Sequence, residues 1–394
     1  MQSSFYDDEH DAFRESVREF ATRHVAPHYA EWEAAGLIDP ELYPRMGESG
    51  LIGIAIPERF DGMEVDDYRF RMVISEEFAR VGAASLNATL GVHDDIVIPY
   101  LLDLATPEQQ QRWLPAMAAG TSIGAVGMTE PEAGSDLQGI RTNAVRVSDG
   151  DGDGWLLNGS KTFITNGFHA DKVLVFARTD PEAGSRGFSL FLVENGMAGF
   201  ERGRKLDKLG LHAQDTAELF FEDVRVPDEN VVGEVGMGLM YLMQRLPRER
   251  LSIAVGALVS AEAAYDWGRD YVFQRKAFGG LIGDLPTVRF TLAELETELD
   301  ITRAYIERCT LALNEGHLTT ADASKAKWWT TELEQRVITR SLQLHGGYGF
   351  MEEYPIARAF RDSRVQTIYG GTTEIMKEII GREIAKGAKG APRG

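Results

Sequence analysis

Near the C-terminal end of the chain, Leu292, Leu295, Leu299, Thr302, Ile306, Cys309 and Leu313 recur alternately three and four residues apart. Only a helix turns that spacing into one continuous face, because its period of 3.6 residues brings those positions into line. A long helix with a single apolar stripe must lay it against other helices, so the region after Gly238 is expected to form a helical bundle.

The preceding sequence has two other textures. From Asp7 to about Gly120 the pattern is again helical: Phe13, Val17, Phe20, Ala21 and Val25 follow an acidic first turn, and Pro27 interrupts the segment. Between Thr121 and Val235 it changes to short strand-like runs, Val173 to Ala177 and Gly187 to Val193, punctuated by turn clusters such as Asp149-Gly150-Asp151-Gly152. At 394 residues, two or three packed units are expected. The boundaries read as 1–120 for an N-terminal helical domain, 121–235 for a compact β domain and 236–394 for the bundle. The tail from Lys386 to Gly394, rich in glycine, is expected to fray.

Charge narrows the partners. Asp and Glu total 61 against 41 Lys and Arg, a formal charge of -20, which repels nucleic acid and anionic membranes. An anionic ligand would need its own cluster of cations or helix N-termini. Apolar runs are short: Leu51 to Ile56 stops at Pro57, far from the roughly 20 residues that span a bilayer. Asp7, Asp8 and Glu9 stand where a targeting leader would be basic, so a cytoplasmic location is the expectation. The single cysteine, Cys309, allows no intramolecular disulfide and no Cys-rich metal site, and no metal is expected; it reads as a small buried hydrophobe.

The chemistry lies in longer motifs. Gly127-Met128-Thr129-Glu130-Pro131-Glu132-Ala133-Gly134-Ser135-Asp136 and Leu157 to Gly167 resemble the middle-domain signature of the acyl-CoA dehydrogenase family. The likeness continues at Leu344 to Phe350 and at Ile368 to Ile375, and covers the chain from Phe5 to Ile384. It implies an α+β multidomain fold: an N-terminal α-helical domain, a central β-barrel-like domain and a C-terminal four-helix bundle. It further implies a homotetramer that binds FAD between subunits, takes part in fatty acid β-oxidation and passes electrons to an electron-transferring flavoprotein. By the family pattern Met128, Thr129, Phe163 and Thr165 contact the flavin ring, and Ser135 lies near the diphosphates and the substrate. Arg275 and Phe278 reach the FAD of a neighbouring subunit, and Gln343, Gly346, Gly347, Thr372 and Glu374 complete the cofactor set. Taken singly these residues have plain readings: Thr-Glu-Pro is an ordinary turn, Phe163 a core aromatic, Arg275 a solvated helix charge, and His345-Gly346-Gly347 a helix stop. Pro286 stands where many members carry a glutamine to the adenosine portion, and proline lacks even a backbone donor.

Oxidising a saturated thioester across Cα and Cβ needs a base at Cα, a hydride acceptor at Cβ and donors on the carbonyl. In most members the base follows Tyr in a Tyr-Glu-Gly-Thr motif, but this chain reads Tyr369-Gly370-Gly371-Thr372. Members of the long-chain and isovaleryl type carry the base at the start of a bundle helix instead, immediately before an arginine. The matching segment is Leu246-Pro247-Arg248-Glu249-Arg250-Leu251, which makes Glu249 the expected base, with Gly370 keeping only its backbone N–H beside the carbonyl. On its own Glu249 also reads as a surface charge in a first helical turn behind Pro247. Arg250 is expected to support the site and CoA binding, since guanidinium does not release a proton near neutrality. Counting back from Pro99, Asn87 and Gly91 fall at the floor of the acyl pocket, where glycine leaves depth; no Lys or Arg from Val81 to Gln111 offers a clamp for a second carboxylate. Two other readings remain: an oxidase that hands the electrons to oxygen, and a silent flavoprotein that binds acyl-CoA without reacting. Chain length, branching, steroid side chains and the physiological acceptor stay open at this level.

Overall fold

The computed structural model describes residues 5–149 and 152–390. Helix α1 (Asp8–Phe20) opens on Asp7, whose carboxylate accepts from the backbone N–H groups of Glu9 and His10, and it widens into a π turn at Ala21–Val25. Then follow α2 (Tyr29–Ala35), α3 (Leu42–Glu48), α4 (Tyr68–Arg80), α5 (Ala84–Val92), a second π turn at His93–Val97, α6 (Ile98–Leu104) and α7 (Pro107–Ala118). The stripe seen in the sequence is the one buried: Val17, Phe20, Ala21 and Val25 enter the core, with Phe13 packed on its edge.

The β domain holds β1 (Gly124–Gly127), β2 (Asn143–Asp149), β3 (Gly152–Thr165), β4 (Lys172–Arg178), β5 (Phe188–Glu194), β6 (Phe200–Lys205), β7 (Thr216–Pro227) and β8 (Val231–Val232). The ladder runs β6-β7-β3-β2-β4-β5-β8 with β1 parallel to β4, and it bends at the one residue pair, Asn143 and Arg178, that joins β2 to β4. Val173, Val175 and Ala177 face inward on Trp155, Leu157 and Phe221, while Leu174 and Phe176 face outward on Trp113, Leu114 and Met117 of α7. A strand covered on both faces has no polar side, which is why Val173 to Ala177 is apolar without alternation.

The last region contains α8 (Gly238–Val272), the hairpin β9 (Lys276–Ala277) and β10 (Gly280–Leu281), α9 (Pro286–Asn314), α10 (Thr320–Leu344), α11 (Pro355–Ser363) and α12 (Thr373–Gly390). The α9 seam from Leu292 to Cys309 is buried against Leu251, Val255 and Leu258 of α8 and Leu333 and Val337 of α10, with Leu313 at its edge. Pro286 is the first residue of α9, where a missing N–H costs nothing because the first turn has no acceptor for it.

Three local expectations are corrected. Pro247 and Glu249 do not start a helix: α8 begins at Gly238, and Pro247 lies inside it, without the N–H that would bond one turn back. Arg275 follows the end of α8 at a tight hairpin and is not on a helix. The helix α12 persists to Gly390, through much of the tail expected to fray; 391–394, and Gly150 and Asp151 of the expected turn, lie outside the described residues. Among the described residues no helix is long and apolar enough to cross a membrane, and no cluster of His, Cys, Asp or Glu could hold a metal ion.

Candidate active site

Glu249 lies on the inner face of α8 and is only 6% exposed. Burial strips water from its carboxylate and pushes the pKa up to about 7. Two neighbours pull the other way: the Tyr100 hydroxyl of α6 donates to Oε1 at 3.0 Å, and the Arg250 guanidinium lies close by. Arg250 is itself buried, and its Nη1 donates to Ser324 Oγ of α10 at 3.4 Å, which braces α8 against α10.

Gly370 sits in the left-handed region, φ +62°, in the turn before α12. A Cβ there would run into Cδ1 of Ile253, which lies one helical turn beyond Glu249 and so on the same face of α8. The occupied position and the vacated one therefore converge on one side of one helix. Lys327, fully buried on α10, donates to the Gly371 carbonyl at 2.8 Å and anchors that turn. The Thr372 hydroxyl caps α12 by accepting from Ile375, and Glu374 is exposed in the first turn.

On α5, Asn87 and Gly91 are both half-buried, and Gly91 faces Ser252 of α8. One turn beyond Ser252, a Cβ on Gly256 would meet nothing within 4 Å. The space beside Gly91 is bounded: a Cβ would lie 3.6 Å from Ser252 Oγ and 3.9 Å from Asp95 Oδ2. Those two atoms are bonded to each other at 2.5 Å, and Arg71 pairs with the same carboxylate at 3.3 Å. The neighbours of Gly91 on this side are thus polar, and Asn87 turns its amide to the Ser75 carbonyl of α4.

The expected flavin contacts divide into two groups. In the first, Lys161 is buried and its ammonium donates to the Met128 carbonyl at 3.0 Å and to Glu130 Oε1 at 2.8 Å, while Thr162 N–H holds the Thr129 carbonyl at 2.9 Å. Phe163 adopts φ +57° with its side chain 68% exposed. Backbone strain and an uncovered aromatic face together suit a planar ligand that stacks there. Next to half-buried Thr165, Asn166 donates to the carbonyls of Thr89 and Gly124, both at 3.1 Å, which fastens this end of β3 to α5 between Asn87 and Gly91. Gly134 and Ser135 are exposed, with open space beyond Gly134. These residues fit a flat cofactor.

The second group lies past the far end of α8. The Arg275 guanidinium packs 5.5 Å from the ring centre of Tyr348, and Phe278, 94% exposed, closes the hairpin with Gly279, both at positive φ. Gln343 is exposed near the end of α10, and a Cβ on Gly346 or Gly347 would meet nothing within 4 Å. His345 caps α10 and Gly346 follows at φ +58°, so the helix-stop reading holds alongside the open surface. From Glu249 to the end of α8 at Val272 is ~35 Å along the helix axis at 1.5 Å per residue, so within one chain the second group lies far from Glu249.

The sequence offered little notice of Tyr100, Ile253, Lys161 or the Ser252–Asp95–Arg71 set. A polar-tipped ring within the apolar run Ile96 to Leu102 was the only local sign of Tyr100.

Compared with known proteins, the chain matches three domain models in order: "Acyl-CoA dehydrogenase, N-terminal domain" over residues 7–121, "middle domain" over 125–224 and "C-terminal domain" over 236–385. It is 52% identical over 384 residues to the mitochondrial long-chain specific acyl-CoA dehydrogenase of Sus scrofa, spanning 96% of this chain and 87% of that protein. Among solved structures it superposes on an acyl-CoA dehydrogenase from Geobacillus kaustophilus with a TM-score of 0.93, at 46% identity, over 97% of this chain and 100% of that one. A glutaryl-CoA dehydrogenase from Mycobacterium smegmatis, solved in complex with FADH2, superposes at a TM-score of 0.89 and 26% identity, over 97% and 96% of the two chains.

Proposed function

Because the chain belongs to the acyl-CoA dehydrogenase family and is an oxidoreductase of that kind, we propose that it converts a long-chain saturated acyl-CoA to the trans-2-enoyl-CoA, with Glu249 as the base. The carrying observation is the exchange at α8: a buried carboxylate on Glu249, and Ile253 filling the space over Gly370, where a side chain would otherwise stand.

The acyl chain lies between α5 and α8, its thioester against the Gly370 turn, where the backbone N–H polarises the carbonyl as enolate charge develops. Glu249, ionised, removes the α-proton. Bound FAD supplies the acceptor for the β-hydride, since no side chain can accept one. Met128, Thr129, Phe163 and Thr165 would hold the ring, and Ser135 the diphosphates. Arg275, Phe278, Gln343, Gly346 and Gly347 would come from a second copy, Arg275 offering a planar fork to phosphate oxygens. A site shared with a second copy requires at least a dimer; the proposed assembly is the homotetramer that the family likeness implies, with an electron-transferring flavoprotein as acceptor.

The test is anaerobic mixing of the purified yellow protein with saturated acyl-CoAs of increasing length, followed by bleaching of the oxidised flavin band. Bleaching by chains of about ten carbons or more is expected to outrun that by butyryl-CoA, as each buried methylene adds roughly 0.8 kcal/mol while the acyl pocket lasts. A colourless protein that cannot be reconstituted with FAD would overturn the reading. Faster turnover with oxygen than with an artificial acceptor would make the protein an oxidase.

A further inference from the structure

We infer that Tyr100 is a positioning residue for the base, holding the Glu249 carboxylate in one orientation and in its charged form through a buried hydroxyl. The inference rests on Glu249 being the base.

Tyr100 follows Pro99 in the first turn of α6 and is fully buried, within the core cluster that also holds Val97 and Trp113. A ring so packed has one place for its oxygen, and that oxygen lies 3.0 Å from Glu249 Oε1. The bond crosses from α6 to α8, engages one carboxylate oxygen and leaves the other, Oε2, to take a proton. Both residues are enclosed, so the bond works in a medium where a charge-assisted contact is strong. The donor is secure as well, because burial and the facing carboxylate push the phenol pKa well above its ordinary value.

The surrounding charges do not replace it. On α8, Arg250 lies beside the carboxylate but its hydrogen bond runs to Ser324, and Arg245 is paired with Asp103 of α6. Lys327 on α10 donates to the Gly371 carbonyl, and on the α5 side Arg71 and Asp95 are joined to each other and to Ser252. Tyr100 is the one hydrogen-bond donor to Glu249 among the described residues.

Removing the donor favours the protonated form of Glu249. In Tyr100→Phe the pH midpoint of flavin reduction should rise by about one unit, so that the rate falls about fivefold near pH 7 and recovers most of that near pH 9. The same displacement should appear without turnover in the carboxyl stretch of Glu249, titrated by infrared difference between each protein and its Glu249→Gln counterpart. Replacing Tyr100 by a ring-fluorinated tyrosine keeps the shape, strengthens the donor and should move the midpoint down. An unchanged midpoint in both titrations, or a rate lowered by the same factor at every pH, would overturn the inference and leave Tyr100 as core packing. Should Glu249→Gln reduce the flavin at a normal rate, the assignment of the base fails instead.

Discussion

Replacing Glu249 by Gln separates two consequences of burying a base. Gln keeps the size and can still accept from the Tyr100 hydroxyl, but it takes no proton. Flavin reduction should slow by about 10²- to 10⁴-fold, or roughly 2.7 to 5.4 kcal/mol of barrier. Stability should move in the opposite direction. The carboxyl pKa is raised from the ordinary 4.5 to about 7 by burial, so the folded protein binds this proton more tightly than the unfolded chain does. That contribution to stability is complete below pH 4.5 and is lost as pH rises through 7. Integrated between those values, the ionised carboxylate costs the fold under about 1 kcal/mol at pH 5 and about 3 kcal/mol at pH 8. Glu249→Gln should therefore be nearly neutral at pH 5 and more stable than the natural protein at pH 8. Urea unfolding at both pH values gives the stability, and rapid mixing with an acyl-CoA gives the rate. A normal rate would remove Glu249 as the base; a gain independent of pH would show that its burial does not set its titration.

Gly370→Glu in the Glu249→Gln background should restore little activity, because the backbone there is left-handed and the terminal methyl of Ile253 must swing aside; adding Ile253→Ala should restore more, and full recovery with Ile253 intact would refute the argument. Gly91→Leu should fill the space against Ser252 and lower reduction by long-chain acyl-CoA more than by butyryl-CoA, read as the ratio of the two rates. Arg275→Ala should shed FAD on dilution, seen as loss of the flavin band in gel filtration, whereas a variant that holds FAD normally would mean that the second group does not serve a neighbour's cofactor.

Local periodicity was enough for the architecture. The three-and-four spacing from Leu292 to Leu313 and the unbroken apolar run from Val173 to Ala177 each allow one kind of burial, and both are buried accordingly. The vacancy at Gly370 and the carboxylate at Glu249 were legible too, because they are single letters within long motifs. Helix boundaries were not: Pro247 carries the local signal of a helix start, yet packing of α8 against α10 and α9 keeps the helix continuous from Gly238. Nor was the electrostatics of the base legible. Residues 100, 370 and the α8 pair 249 and 253 lie far apart in the chain, and only the closing of α6, α8 and the turn before α12 gives Glu249 a donor and Gly370 a neighbour. A carboxylate's identity is a property of sequence; its pKa depends on the water and donors that distant segments remove or supply, and those are set when the chain folds.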